Sequence, residues 1–492
     1  MFAQIPLRTC AAEKTRHIPA MPNIQTLVAG TSIVLPLVLA ACAPVGPDHE
    51  TPAMNLPASF SEGGVSWKRE SPATQPKPRS WWRLYSDSTL TGLVERALDH
   101  NQEITAAAAR LDEARSLSQV ARSRYFPGID IGANTDRTKS RPRSGNTNNN
   151  SGGIENTFRV PLDLSYEIDA WGKVRRQVEG ARAREAAAAE QLNALRLTIA
   201  AETARTYWAL RAVDADRALL DRTVALREEA LGLLARQEEA GSISRLDLSR
   251  AETEVATARA ERVSLDRDRA VLVNALAALT GSVASGSSIP ENPVLPTPPR
   301  IPATTPGELL RQRPDIRAAE HRVAAANADI GAAEAMFYPS FTIGGSTGFD
   351  SERLSNLFRA DSIVWSLGAG AVLPLTGQKL LRSQRDATAA GHRAASAEYR
   401  QNVLDAIRDV ETALQASTIL AHSENVAREA SDSATQTLEL SRQRYDAGLV
   451  SFLDVVDAER TRLENDRRLN AVRAERMAIS VALIQALGGS WR

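Results

Sequence analysis

The sequence predicts an α+β membrane protein made of two copies of one unit, each with two membrane strands and a long helical hairpin. Three observations predict this fold. Segments recur at a nearly constant offset, apolar and polar residues alternate over the length of a strand, and proline is absent from two very long stretches. An offset this large indicates duplication of one large unit rather than a solenoid.

The composition of the 492-residue chain excludes several functional classes. Lys and Arg number 59, and Asp and Glu also number 59, so the chain has no basic surface for binding nucleic acid. Aromatic residues make up only 5% of the chain, which favours closely packed, alanine-rich helices over a conventional core. The two cysteines, Cys10 and Cys42, leave the rest of the chain without disulfides or cysteine metal sites.

The N-terminal region has the pattern of an export signal. Residues 27–41 are mostly apolar, but Gly30 and Pro36 interrupt the run, which is too short for a membrane-spanning helix. The run ends in Leu-Ala-Ala followed by Cys42, and this ending resembles a bacterial lipoprotein signal.

This signal predicts where the mature protein begins. We expect residues 1–41 to be removed and Cys42 to carry a covalent lipid, and Ala43 in the next position favours sorting to the outer membrane. An ordinary signal peptide with an incidental cysteine is the alternative. Met21 is a second possible start of translation.

The body of the chain is duplicated. The segment from Gly241 to Asp247 matches the segment from Gly448 to Asp454, 207 residues later. The linker between the two units holds seven of the 24 prolines, so it must run extended. The predicted organisation is an extended segment at 42–87, a first unit at 88–281, the linker at 282–306 and a second unit at 307–492.

Each unit is predicted to contain a helix, two strands and a helical hairpin, in that order. The first helix covers about 88–125 and ends before Pro127. The strands show strict alternation of apolar and polar residues. They are expected at 129–134 and 158–169 in the first unit, and at 341–345 and 365–375 in the second.

The strand pattern indicates a membrane barrel. Alternation over about eleven residues matches a tilted strand that crosses a bilayer with its apolar side chains outward. A half-buried strand of a soluble sheet is the alternative, but no other segment is suited to cover the apolar faces. Because a membrane barrel needs about eight strands, four strands per chain require an oligomer. The periodicity alone leaves two or three copies open.

The proline-free stretches predict two helices of unusual length. They cover about 171–240 and 379–448, and each would be about 100 Å long at 1.5 Å per residue. Apolar residues recur every three or four positions, and charges occupy the other faces. Each helix reverses at a glycine, Gly241 or Gly448, into a second helix. We therefore predict long coiled hairpins that project from the barrel.

Four stretches of the sequence resemble the outer-membrane factors of the TolC type, in the lipoprotein branch associated with drug efflux. They are Gly46-Pro47-Asp48, the residues from Trp81-Trp82 to Asn101, the residues from Leu164 to Arg176, and those from Arg313 to Pro339. The resemblance covers residues 42–492 and implies a homotrimer, with a twelve-stranded outer-membrane barrel continued by a periplasmic tunnel of twelve helices. The chain departs from the family at residues 374–379, where the junction from strand to helix is shorter.

The resemblance also implies a function. The expected role is the passive exit duct of a tripartite efflux pump, which works with a periplasmic adaptor protein and an inner-membrane proton-driven transporter and uses no cofactor or metal. A duct for type I protein secretion is the alternative within this class. A structural lipoprotein that tethers the layers of the envelope is the alternative from another class.

The two helix turns carry the candidate functional residues. Asp454 and Asp457 lie one helical turn apart on one face, so a trimer would stack two rings of carboxylates. The resemblance assigns such carboxylates to a periplasmic gate, together with Asp247 of the first turn. It also matches Tyr445 to a residue that ties neighbouring helices in the closed state. The alternative for Asp247 and Asp454 is a structural role as helix caps.

The same turns are the expected contact with the adaptor protein. Their small residues, Gly241 and Ser244 in the first turn and Gly448 and Ser451 in the second, permit a close approach of two backbones.

Enzymatic chemistry has little support in the sequence. The six histidines are scattered without the spacing of metal ligands. Residues 344–348 fit the pattern G-x-S-x-G, but a nucleophile elbow joins a strand to a helix, and this string lies within a predicted strand. No Walker loop is present in the sequence, so an energy source must belong to a partner.

Overall fold

The computed structural model describes residues 44–55, 60, 78–139, 153–286, 288–301 and 312–489. The predicted signal peptide and Cys42 lie outside the described residues. Five strands in this part of the chain form one antiparallel sheet. They are β1 (Gly128–Ile131), β2 (Asn134–Lys139), β3 (Ile154–Ile168), β4 (Ser340–Ser351) and β5 (Ile363–Val372).

The helices of the described residues include two of exceptional length. They are α1 (Ser88–His100), α2 (Gln102–Ser123), α3 (Lys173–Glu239), α4 (Arg245–Leu279), α5 (Pro314–Ala335), α6 (Gln378–Asp446) and α7 (Phe452–Ala486). The long helices α3 and α6 have 67 and 69 residues. At 1.5 Å per residue each spans about 100 Å, as the sequence predicts. Among the described helices, none has an apolar stretch long enough to cross a bilayer.

The sheet has four strand positions, which confirms the predicted number per chain. Both β1 and β2 pair with β3, and they do so in one continuous register. The interruption between them lies opposite Pro161, whose nitrogen has no hydrogen to donate to a neighbouring strand. The Pro161 carbonyl still accepts a hydrogen bond of 2.9 Å from the Gly132 N–H. The two short segments therefore form one interrupted strand.

Several predicted boundaries differ from the structure. The strands β3 and β4 are longer than predicted. Two other differences have a clear physical cause. The fourth strand ends at Val372 rather than at residue 375, because the position opposite residue 373 is Pro339, which has no N–H. The predicted helix at 88–125 is divided into α1 and α2 at Asn101, whose backbone is extended. The Asn101 side chain accepts hydrogen bonds from two N–H groups of α2 and donates one to the Leu279 carbonyl. These bonds begin a new helix at that point.

Both long helices begin in the same way at the edge of the sheet. The residue before α3 is Gly172 with φ of 79°, and the residue before α6 is Gly377 with φ of 82°. A left-handed backbone of this kind favours glycine. The second junction is shorter in sequence than the family pattern, yet it uses the same turn to lead a strand into a helix.

Four helices lie side by side at each level of the helical region. Close to the sheet, α2 and α5 pack along α3, and α5 also packs along α6. Farther from the sheet, α4 packs on α3, while α7 packs on both α6 and α3. This arrangement matches the four strand positions of the sheet, so one chain contributes one sector of strands and helices.

The middle of the helical region contains the largest aromatic cluster. Trp81 and Tyr85 precede α1 and pack against Tyr207 and Trp208 of α3. Residues 288–301 of the linker contain no helix or strand and cross the molecule nearby. Their backbone is held by side chains of α3 and α4, such as Arg211, which donates a 2.8 Å hydrogen bond to the Pro290 carbonyl. We call residues 288–301 the belt.

Candidate functional site

Two tight turns close the helical hairpins at the end farthest from the sheet. Gly241 has φ of 75° and Gly448 has φ of 71°. In both turns the N–H of the residue after the glycine donates a 2.8 Å hydrogen bond to the carbonyl five residues earlier, from Ser242 to Gln237 and from Leu449 to Arg444. The N–H of each glycine also donates a hydrogen bond to the carbonyl three residues earlier, and the two bonds together form a Schellman motif. A Cβ atom on either glycine would meet nothing within 4 Å, so the backbone conformation, and not crowding, favours glycine.

The serine and aspartate after each turn form matching helix caps. Ser244 Oγ lies 2.7 Å from Asp247 Oδ2 and accepts a hydrogen bond from the Asp247 N–H. In the second turn Asp454 Oδ2 accepts hydrogen bonds from the Ser451 N–H at 2.9 Å and from its hydroxyl at 2.7 Å. Asp247 and Asp454 therefore do take part in helix caps in the folded chain, which is the structural alternative to a role in the gate.

The cap changes the ionisation of Asp454. Hydrogen bonds from the Ser451 hydroxyl and backbone hold the pKa of the Asp454 carboxyl below its ordinary value. Asp457 lies one turn further along α7, and both aspartates are exposed. They stay available to another chain or to ions, because their carboxylates are not covered within the protomer.

Tyr445 connects the two hairpins within one chain. Its ring packs edge-on against Phe452 with centroids 5.8 Å apart, and it is part of a small apolar cluster with Leu438 and Val455. The Tyr445 hydroxyl lies 3.5 Å from Gln237 Oε1 of α3. Tyr445 therefore contacts α7 and reaches α3 just above the two turns.

Asp247 faces the start of α7 across a cleft of about 240 Å³. Residues of α4 and α7 line this cleft together, including Asp247, Phe452 and Leu453. Asp454 and Asp457 are not among its lining residues. The structure therefore brings Asp247 and Tyr445 to the contact between the hairpins and leaves the two aspartates of α7 outside this cleft.

The sequence does not reveal one further group of residues in the functional site. These residues form ion pairs between helices. Glu254 of α4 lies 3.0 Å from Arg460 of α7 and 3.1 Å from Arg227 of α3. Further from the turns, Arg467 of α7 lies 3.1 Å from Glu261 of α4. These pairs join α7 to the first hairpin, but their partners are far apart in sequence, so only the tertiary fold identifies them.

The segment after Cys42 is held at the opposite end of the helical region, beside the sheet. Arg176 is buried and donates hydrogen bonds to the Val45 carbonyl, the Gly46 carbonyl and the Asp48 carboxylate. The Val45 N–H donates a 3.0 Å hydrogen bond to the Trp171 carbonyl. We call residues 44–55 the strap, and the sequence gives no signal for its contact with Arg176.

The described residues also bear on the other sequence motifs. Within the part of the chain that the structure describes, no group of three or more His, Cys, Asp or Glu side chains could hold a metal ion. Residues 344–348, which fit the G-x-S-x-G pattern, lie inside β4 and do not join a strand to a helix.

The fold and its two ends define a class of membrane channel, in which a sheet is continued by long helical hairpins. The family model for the outer membrane efflux protein matches residues 93–282 and 305–489, and the chain belongs to this family. Channels of this fold are trimers, and the family places the chain in the bacterial outer membrane as the exit duct of an efflux pump.

Three comparisons illustrate the similarity. The outer membrane protein OprJ of Pseudomonas aeruginosa is 31% identical over 94% of this chain and 95% of its own length. The toluene efflux pump outer membrane protein TtgF of Pseudomonas putida is 30% identical over 94% of this chain and 96% of its own. The crystal structure of the open state of the MtrE channel of Neisseria gonorrhoeae has a TM-score of 0.78 and 27% identity, and covers 91% of this chain and 98% of that one.

Proposed function

We propose that three copies of this chain close one twelve-stranded barrel and one continuous tunnel, through which small molecules leave the cell. The observation that carries this proposal is that both edges of the sheet are unpaired within one chain's described strands. Among the described strands, β5 pairs only with β4, and the β1–β2 strand pairs only with β3. Open edges are not tolerated in lipid, because no water is there to bond the backbone. Pairing between copies satisfies both edges.

The resting channel is proposed to be closed at the two helix turns. Three copies of Asp454 and of Asp457 would form two carboxylate rings around the axis, and their mutual repulsion must be opposed by packing. Tyr445 supplies such packing because it contacts α7 and reaches α3. Asp247, which faces the start of α7, would belong to the same gate.

The turns are also the proposed contact with a periplasmic adaptor protein. Gly241, Ser244, Gly448 and Ser451 lie at the tip of the molecule, and their neighbourhood is exposed. An inner-membrane proton-driven transporter is the proposed source of energy, since the duct itself is passive.

The strap supports the proposal that Cys42 carries a lipid. Pro44 lies against Gly172 at the junction of sheet and helices, where a Cβ atom on Gly172 would come within 2.5 Å of the Pro44 Cβ. Residue 44 is therefore fixed at the base of the sheet, two residues after Cys42. A lipid on Cys42 would start beside the barrel and at the level of the membrane. Mass spectrometry of the mature N-terminus tests this, and an unmodified terminus at another residue contradicts it.

Small molecules are the proposed cargo. The names of TtgF and of the antibiotic efflux pump outer membrane protein ArpC refer to toluene and antibiotics, and this chain covers more than nine-tenths of both relatives. Type I protein secretion has no such support.

Reconstitution of the purified trimer in planar bilayers tests the proposed duct. A duct gives discrete single-channel currents that grow when the gate is loosened, whereas an envelope tether gives none. Restoration of solvent and antibiotic resistance in a strain that lacks its own outer-membrane channel tests the cargo. Secretion of a protein substrate without restored resistance would contradict the small-molecule proposal.

A further inference from the structure

Glu424 of α6 lies at the centre of three guanidinium groups. Arg428 Nη2 donates a 2.6 Å hydrogen bond to its Oε1, and Arg473 Nε donates a 3.2 Å bond to the same oxygen. Arg476 donates to Oε2. Two of these arginines belong to α7, so the cluster joins the two helices of the second hairpin.

The cluster has an excess of positive charge. Burial alone would raise the pKa of the Glu424 carboxyl, but hydrogen bonds from Arg476 and Arg473 outweigh it and hold this pKa below its ordinary value. Glu424 is therefore ionised at neutral pH, and one negative charge faces three positive charges. Each guanidinium has about five N–H donors, so two carboxylate oxygens accept only a minority of them.

The exposed side of the cluster borders a small cavity. The Glu424 side chain is 8% exposed, whereas the side chains of Arg428 and Arg473 are 49% and 33% exposed. The cavity measures about 180 Å³ and is lined by these three residues and by residues 295–298 of the belt.

We propose that this cavity is a binding site for a phosphate group, held by Arg428 and Arg473 between the belt and the second hairpin. Arg428 and Arg473 place two positive charges on the cavity beside the single negative charge of Glu424, and a phosphate monoester carries about −1.5 to −2 at neutral pH. Guanidinium forks bind phosphate oxygens through paired, charge-assisted hydrogen bonds. A bound phosphate would contact the belt, α6 and α7 at once, and would fix the belt against the hairpin that carries the second turn.

The site is separate from the candidate gate residues, because Glu424 precedes Tyr445 by 21 residues along α6. It would bind either free phosphate in the periplasm or the phosphate end group of a larger molecule. Both sources present the same phosphate oxygens to the arginines. A negative result for phosphate binding would not affect the proposed exit duct, because the duct is tested separately by its conductance.

Calorimetric titration of the purified full-length trimer with inorganic phosphate, at constant ionic strength set with chloride, tests the site. We expect saturable binding of one phosphate per chain. Arg473→Gln should weaken the affinity by about tenfold or more, since it removes charged hydrogen bonds. Arg428→Gln should act in the same direction and is a second test, because this half-exposed side chain contributes less to folding. Glu424→Gln should strengthen binding, because it removes the competing negative charge.

Arg267→Gln is the matched control, since Arg267 of α4 is an exposed arginine paired with Asp268. Its affinity for phosphate should equal that of the wild type. Titration with glycerol phosphate separates the two sources: equal affinity for both compounds indicates recognition of an end group, and binding of inorganic phosphate alone indicates the free ion. Absence of saturable binding, or equal affinities of the wild type and both arginine variants, would overturn the proposal.

Discussion

Gly348 of β4 stands directly opposite Pro161 of β3, and the two backbones approach so closely that no side chain fits between them. A Cβ atom on Gly348 would lie 2.1 Å from the Val160 carbonyl oxygen and 2.8 Å from the Pro161 Cα. Pro161 also interrupts pairing with the strand on its other side. The sheet accommodates proline in an interior strand because glycine faces it.

This relationship predicts a large effect of a small substitution. Gly348→Ala should destabilise the folded sheet by about 1–3 kcal/mol, because the added methyl group forces backbone shifts in a packed region. The measurement is the yield and thermal stability of the trimer extracted from membranes.

Gly368→Ala on β5 is the matched control, because a Cβ atom there would meet nothing within 4 Å. Its trimer should be as stable as the wild type. Equal losses in both variants would show that alanine weakens any strand position in this sheet and that the contact with Pro161 is unimportant.

The orientation of the strands predicts opposite effects for neighbouring residues. Arg at Leu162 or Leu164 should face lipid and cost about 2–4 kcal/mol near the middle of the bilayer, whereas Arg at Asp163 or Ser165 should face water and be tolerated. Trimer yields of the four variants measure this difference. Similar yields from both pairs would mean that the assigned phase of the strand is wrong.

The docking of the strap on the helical region should depend on one buried side chain, that of Arg176. Arg176→Gln removes the charged donor of the Val45 and Gly46 carbonyls and of the Asp48 carboxylate, and should destabilise the docked strap by about 2–4 kcal/mol. We expect faster proteolysis at the N-terminus of the purified trimer. Arg182→Gln, six residues along α3 at an exposed position, is the control. Equal proteolysis of the two variants would contradict the role of Arg176.

Much of this fold could be predicted from local patterns. The alternation on β3, the long helices and the glycine turns each follow from residues close together in sequence, and the structure confirms them. The division of the first helix at Asn101 also has a local signal, because an asparagine followed by Glu103 is typical of a helix start. The interruption at Pro161 could be anticipated from the missing N–H, whereas apolar alternation alone does not show it.

The contacts that decide the sites could not be predicted in this way. Arg176 and Asp48 are 128 residues apart in sequence, and Tyr445 and Gln237 are 208 apart. From sequence alone, a charged residue in a helix is expected to be solvent-exposed, because its partner is not known. The resemblance identifies the candidate gate residues, and their arrangement across three chains stays a prediction.

The cap on Asp454 predicts how the gate responds to pH. Its lowered pKa means that the carboxylate stays charged as the pH falls past the ordinary aspartate range, and that charge and cap are lost together only below it. Ser451→Ala removes the hydroxyl donor and should shift the loss of cation selectivity to higher pH. Reversal potentials across a salt gradient, measured over a series of pH values, check this shift. The same midpoint in both proteins would contradict the role of the hydroxyl.

The most direct test of the account is the conductance of the trimer in planar bilayers, with and without a trivalent cation. The wild type should conduct poorly, favour cations and be blocked, because two carboxylate rings attract and bind the ion. Asp454→Ala combined with Asp457→Ala should abolish the block and weaken selectivity. Ser451→Ala, which removes a cap hydrogen bond and keeps both carboxylates, should still be blocked at neutral pH. Since the Debye length is about 8 Å at physiological salt, selectivity should fade as salt rises. Unchanged block and selectivity in the double variant would show that these aspartates do not form the gate.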